Sequence, residues 1–221
     1  MTAATKSEPA KALDLLQTKV RPNLKELGFR FRGRTLNRQT ADGLTQVLQF
    51  QMGVFDPPGT HHIPWIRENL YGKFTVNVGV YVPEIAQADG IGAAASFVQE
   101  ASCCIRARLG KLGPEHRDMW WDLSRADETA PEIWGRLRRD ALPFLGRFES
   151  RDAILTEWRN LAKSPYSNRP RVDCAIILAG RGQRADAMAL LTTQAREAGE
   201  PRHVEYLRGL SRKLGLGELD V

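Results

Sequence analysis

The chain is poor in cysteine, in long apolar runs and in catalytic signatures. Only three cysteines occur in 221 residues, and two of them are adjacent, at Cys103 and Cys104. That odd, closely spaced set makes no disulfide framework, so reduced thiols are expected. No apolar run reaches the roughly 18 residues that span a bilayer, and the segment Met1 to Lys11 is polar, without the apolar core of a secretory signal. A cytoplasmic protein that does not enter a membrane is therefore expected. There is no nucleophile elbow and no phosphate-binding glycine loop. Gly110-Lys111-Leu112-Gly113 and Gly180-Arg181-Gly182 lack both the spacing and the strand-to-helix setting. His61 and His62 have Asp56 and Glu68 within reach by sequence, but adjacent side chains point apart on an extended chain and make a poor ligand set. No catalytic residue, no metal ligand and no cofactor is predicted.

What the chain does contain is organised around residues 71–84. Phe74, Val76, Val78, Val80 and Val82 alternate with Thr75, Asn77, Gly79 and Tyr81, the period-two pattern of a half-buried strand. Upstream, Ala12 to Leu27 carries leucines at helical spacing and ends at Gly28, a helix stop. Phe29 to Arg32 reads as a short strand presenting Arg30 and Arg32 on one face, and Thr35 to Gln39 as a second. An Asp42-Gly43 hairpin signal then leads into a third at Leu44 to Met52, with Gln49 and Gln51 outward. Gly53 to Leu70, with Pro57, Pro58, Gly59 and Pro64, is a long loop. The central strand stops at Pro83, a partly helical segment follows, and Cys103 to Leu109 alternates again, with Arg106 and Arg108 outward. Trp120 to Leu123 is a further short strand or packed loop.

Past Ala126 the pattern is helical throughout: a helix from Pro131 to Arg147 that Pro143 must kink or end, then Arg151 to Lys163. Ser164 to Pro170 reads as a linker. Val172 to Ala179, Ala185 to Ala198 and Arg202 to Leu214 are three short helices with the rhythm of one helical-repeat unit, which cannot bury its own apolar face unaided. The predicted fold is α+β: a mainly antiparallel sheet of four to five strands with helices on one face over residues 1–163, followed by a helical C-terminal extension over 170–221.

The net charge of +6 is concentrated in residues 1–40, where nine basic groups meet three acids. This suits an anionic partner, although a solvated basic face is the plainer alternative. On the alternation above, Arg30, Arg32, Gln49, Gln51, Asn77, Tyr81, Arg106 and Arg108 share the face away from the helices, a cationic, amide-rich surface with almost no carboxylate. Trp120 and Trp121 could stack on bases, but such pairs more often anchor a core. The expected function is non-enzymatic binding through this face and the Gly53 to Leu70 loop, with an acidic protein as partner. Nucleic-acid binding through the same arginines is the first alternative. An enzyme acting on a phosphate-containing small molecule is the second, and it lacks a candidate general base.

Two separated segments carry a family resemblance: Leu24-Lys25-Glu26-Leu27-Gly28-Phe29-Arg30-Phe31-Arg32-Gly33-Arg34-Thr35-Leu36-Asn37-Arg38 and Tyr71-Gly72-Lys73-Phe74-Thr75-Val76-Asn77-Val78-Gly79-Val80-Tyr81-Val82-Pro83-Glu84. With the Cys104-Ile105-Arg106 strand, they make residues 12 to 145 resemble a bacterial family catalogued only as domain of unknown function 4304. The resemblance implies a bacterial cytoplasmic α+β domain and brings no catalytic residues with it. Some families of this size act as immunity or antitoxin proteins, an analogy that agrees with an acidic protein partner.

Overall fold

The computed structural model of the chain describes residues 6–53, 69–91 and 97–220. Asp56, His61, His62, Glu68 and most of the Gly53 to Leu70 loop lie outside the described residues. The fold is α+β, an open antiparallel sheet of six strands with a C-terminal helical region. Helix α1 (Glu8–Glu26) buries Leu13, Leu16, Val20 and Leu24 and ends as its sequence requires. Gly28 takes φ +84°, its N–H donates to Lys25 C=O at 2.9 Å, and the Phe29 N–H donates to Leu24 C=O at 3.0 Å, the paired bonds of a Schellman stop.

Strand β1 (Arg30–Arg32) turns through Gly33, at φ +60°, into β2 (Thr35–Gln39), with Arg32 opposite Thr35. β3 (Thr45–Met52) and β4 (Lys73–Tyr81) follow, then helix α2 (Pro83–Ala88), β5 (Ile105–Arg108), the single turn α3 (Leu109–Leu112) and β6 (Trp121–Asp122). The strand order is β1-β2-β3-β4-β5, with β6 also paired to β4. β1 and β5 are therefore the two ends of that order.

The half-buried reading of β4 is corrected by the structure. Phe74, Val76, Val78 and Val80 are fully buried, but Thr75, Asn77 and Tyr81 on the other side are buried too. Alternation reports the chemistry of two faces, whereas burial depends on what covers them, and a polar side chain such as Asn77 can enter an interior when it bonds its neighbours.

Helix α4 (Ala126–Arg136) starts five residues before Pro131. The Asp122 carboxylate accepts from the Ser124 N–H at 2.8 Å and opens a 3₁₀ turn, Leu123–Arg125, that feeds the helix. Ahead of Pro143, residues Leu137–Ala141 widen into a π turn in which the Leu142 N–H reaches Leu137 C=O, and α5 (Leu142–Arg147) continues. A proline inside a helix lacks a donor and crowds the preceding turn, and the wider turn accommodates both defects. Then come α6 (Arg151–Trp158), α7 (Pro170–Gly180), α8 (Arg184–Glu197) and α9 (Pro201–Lys213), within a few residues of the periodic segments. None of the described helices is long and apolar enough to cross a membrane.

The chain divides into two compact units, and the division does not follow the Ser164 to Pro170 segment. The first comprises Met1–Arg38, Val47–Val78 and Ala107–Phe144. Its core includes the α1 leucines and an aromatic row in which the Phe50 and Phe74 rings lie 6.3 Å apart and Phe74 and Trp121 5.8 Å apart. The second comprises Gln39–Gln46, Gly79–Arg106 and Leu145–Val221. Here α7 is buried from Pro170 to Leu178 and packs on α2, α6 and α8.

Within that second unit, the segment read as a linker is an ordered turn. Ser164 bridges Ser167, the Arg106 N–H of β5 donates to Tyr166 C=O at 3.0 Å, and the Tyr166 ring meets Phe148 edge-on at 6.3 Å. One backbone group of an end strand is thereby paired, a recognised means of blunting a sheet edge.

Candidate functional site

The eight residues assigned to one cationic face do not form one. Asn77 donates through Nδ2 to Gln51 Oε1 at 2.7 Å and Gln49 Oε1 at 3.1 Å, so the Asn77 donors and an oxygen of each glutamine are engaged with one another across β3 and β4. Tyr81 is 3% exposed, and burial raises its phenol above its ordinary range, with Cys103, Cys104 and Glu84 adding to the effect. Arg106 and Arg108 lie on β5, at the far end of the strand order from Arg30 and Arg32. With neighbouring strands roughly 4.8 Å apart, three intervening strands keep the two arginine pairs from converging.

Carboxylates that strand alternation could not reveal neutralise the β5 pair. Glu100, buried in a 3₁₀ turn, takes Arg106 Nε on Oε1 at 2.7 Å and Nη2 on Oε2 at 3.0 Å. This two-pronged hydrogen bond raises the Arg106 pKa further. Arg108 bonds Asp118 and stacks over Trp120, 5.2 Å from the ring centre, which also covers one face of the indole considered as a base platform. Sequence reasoning missed Glu100 and Asp118 because they come from a 3₁₀ turn and a loop, to which strand periodicity is blind.

Arg30 and Arg32 are different. Both are exposed on the end strand β1, on one side of it, and neither makes an ion pair among the described residues. The rest of the basic segment is largely occupied. Lys6 and Arg34 share Asp14, at 2.7 and 3.5 Å, Lys11 bonds Glu8 at 2.6 Å, and Lys19 bonds Asp127. Arg21 covers Phe31 on the opposite side of β1 and donates to Gly33 C=O at 3.1 Å, while Arg38 covers Phe29 and donates to Leu27 C=O at 3.2 Å. Lys25, exposed in the last turn of α1, likewise has no ion pair among the described residues. Of the nine cations in residues 1–40, Lys25, Arg30 and Arg32 are exposed without a counter-ion or an aromatic cover among the described residues.

The second unit contains a polar cleft of about 510 Å³, lined by Asp89, Arg106, Asn168, Arg169 and Asp173 among others. Arg169 organises it. Its Nη2 meets both oxygens of Asp89 at 2.7 and 2.6 Å, its Nε lies 3.1 Å from Asp173 Oδ1, and its Nη1 bonds the Tyr206 hydroxyl. The Ser167 hydroxyl donates to Asp173 Oδ2 at 2.8 Å. Cys103 and Cys104 also line the cleft, but burial pushes both thiols well above their ordinary range and leaves no thiolate for nucleophilic chemistry. Among the described residues, no three His, Cys, Asp or Glu side chains are grouped to hold a metal ion.

Asp173 is 1% exposed, and burial raises its pKa from 3.8 to about 6 against the opposing pull of Arg169 and Ser167. Because the folded-state pKa lies above the unfolded one, folding takes up a proton between those values. Stability therefore declines as pH rises from about 4 to about 6, and at neutral pH the ionised group costs on the order of 3 kcal/mol. Asp14, Asp42 and Asp122, all lowered, act below this window: their contribution is present above the ordinary carboxylate range and lost below it. Asp173→Asn should be more stable than wild type at pH 7.5, by about 1–3 kcal/mol, with the difference shrinking at pH 4.5. Urea melts at the two pH values test this, and an unchanged pH slope in the variant would contradict it.

These sites belong to an α+β chain with an antiparallel sheet, two neutralised arginines at one end of its strand order and, at the other, two with no ion pair among the described residues. The family described as a domain of unknown function (DUF4304) matches residues 66–147. The match includes the Tyr71 to Glu84 motif and the Cys104 to Arg106 strand, while the Leu24 to Arg38 motif lies outside it. No curated protein and no solved structure matches the chain.

Proposed function

We propose that the chain is a non-enzymatic binding protein that meets an acidic protein surface through β1, as an immunity or antitoxin protein would. The observation that carries this reading is the pair of exposed arginines on an end strand, Arg30 and Arg32, without ion partners among the described residues; Lys25, exposed in the last turn of α1 just upstream, has none there either. Like charges spaced two residues apart on a strand repel, and an acidic partner removes that cost. β1 has only three residues, so its backbone contributes little to docking, and the side chains must supply most of the recognition. Three outward cations suit a protein carboxylate cluster better than a nucleic acid, whose tight binders engage about 6–10 phosphates.

The test is capture of partners from native lysate by wild type and by Arg30→Glu/Arg32→Glu, followed by calorimetric titration of the purified captured protein. The double variant should melt within a few degrees of wild type, because exposed charges contribute little to stability. Its affinity should fall at least about tenfold. Equal affinity of both forms would remove β1 from consideration, and nuclease-sensitive capture would replace the protein partner with nucleic acid.

A further inference from the structure

The cleft of the second unit has binding capacity that its internal bonds do not use. Arg106 commits Nε and Nη2 to Glu100 and is 52% exposed, so its Nη1 remains as a donor. Asp89 accepts only from Arg169 among the described residues and is 34% exposed; since an ionised carboxylate offers about four acceptor sites, it keeps roughly half of them. Asn168 is exposed, with no hydrogen bond to its side chain among the described residues. The walls are already held in place by the Arg106 N–H to Tyr166 bond, the Ser167 to Asp173 bond and the Arg169 network, so little ordering cost remains for a ligand.

We propose that this cleft binds a small zwitterion of the α-amino-acid type, with its carboxylate on Arg106 Nη1 and its ammonium group on Asp89. Charges of both signs line one cavity, and a ligand of one sign would strip water from the other sign without replacing it. A simple anion also meets two lining carboxylates, Asp89 and Asp173, against two guanidiniums, Arg106 and Arg169, and Arg106 is already paired to Glu100. A volume of about 510 Å³ lies within the roughly 300–1,000 Å³ typical of small-molecule sites. The proposal does not depend on β1 or on the protein partner.

The test is calorimetric titration of the full chain with each free α-amino acid, with acetate and ethylamine as half-molecule controls. At least one amino acid should bind saturably, about tenfold or more tightly than either control. Asp89→Asn should weaken that binding, with Arg169 still paired to Asp173. Glu100→Gln/Arg106→Gln, which removes both members of the ion pair together so that no buried charge is left alone, should abolish it while the thermal melt stays cooperative. If no amino acid binds, if acetate binds equally well, or if a folded Asp89→Asn variant binds like wild type, the proposal is overturned.

Discussion

Val78→Asp is expected to unfold the chain at neutral pH. Val78 is fully buried in β4, the strand between β3 and β5 in the sheet order. An aspartate there must either ionise without a partner or take up a proton. Protonating it at pH 7 costs about 4 kcal/mol, and the lost valine burial adds about 2 kcal/mol. Together these approach the whole stability of a typical domain, about 5–15 kcal/mol. Asn77→Asp, one residue away, is also buried, but it faces the amides of Gln49 and Gln51, which can turn to donate their N–H groups. It should fold with a lowered melting temperature. Circular dichroism melts of both variants check the pair, and equal loss in the two would refute the assignment of Val78 to the apolar side.

Removing the C-terminal helices should have an effect of similar size. A chain ending at Ser164 loses α7, whose Val172, Ile176, Ile177 and Leu178 are buried, together with Leu191 and Leu207. It also loses Tyr166 from the Phe148 ring, while Phe148 and Trp158, 5.4 Å apart and both fully buried, remain behind with part of their cover gone. Each large apolar side chain returned to water costs about 1.5–3 kcal/mol, so the truncated protein should aggregate. Co-expression with a separate fragment of residues 165–221 should restore solubility. A monomeric truncated chain with native Trp158 fluorescence on size exclusion would contradict this and make the extension separable.

The contrast between what was legible in the sequence and what was not has a physical basis in each case. The strand at residues 73–81 and the stop at Gly28 were legible because both signals are local: a two-residue period, and a glycine where the chain needs positive φ. Burial of Asn77 was not, because its partners Gln49 and Gln51 are 28 and 26 residues away and meet it only once β3 and β4 are in register. A kink or an end at Pro143 was expected, but not the π turn that lets the helix continue, which depends on how the preceding turn repacks. Ser164 to Pro170 has the composition of a free linker, and a turn docked on a sheet edge uses the same serines, prolines and asparagine. Exposure of Arg30 and Arg32 followed from strand parity. Neutralisation of Arg106 and Arg108 did not, because Glu100 and Asp118 approach from a 3₁₀ turn and a loop whose geometry no periodic pattern encodes.

The most direct measurement is the affinity of the captured partner for two double variants, Arg30→Glu/Arg32→Glu and Arg106→Glu/Arg108→Glu, with the melting temperature of each. The β1 variant should melt like wild type and lose binding, because its arginines make no ion pair among the described residues. The β5 variant should lose stability instead, since Glu100 would be left buried beside a like charge, and whatever fraction stays folded should still bind. A β1 variant that binds as wild type does, or a β5 variant that melts normally and fails to bind, would contradict the assignment of recognition to Arg30 and Arg32.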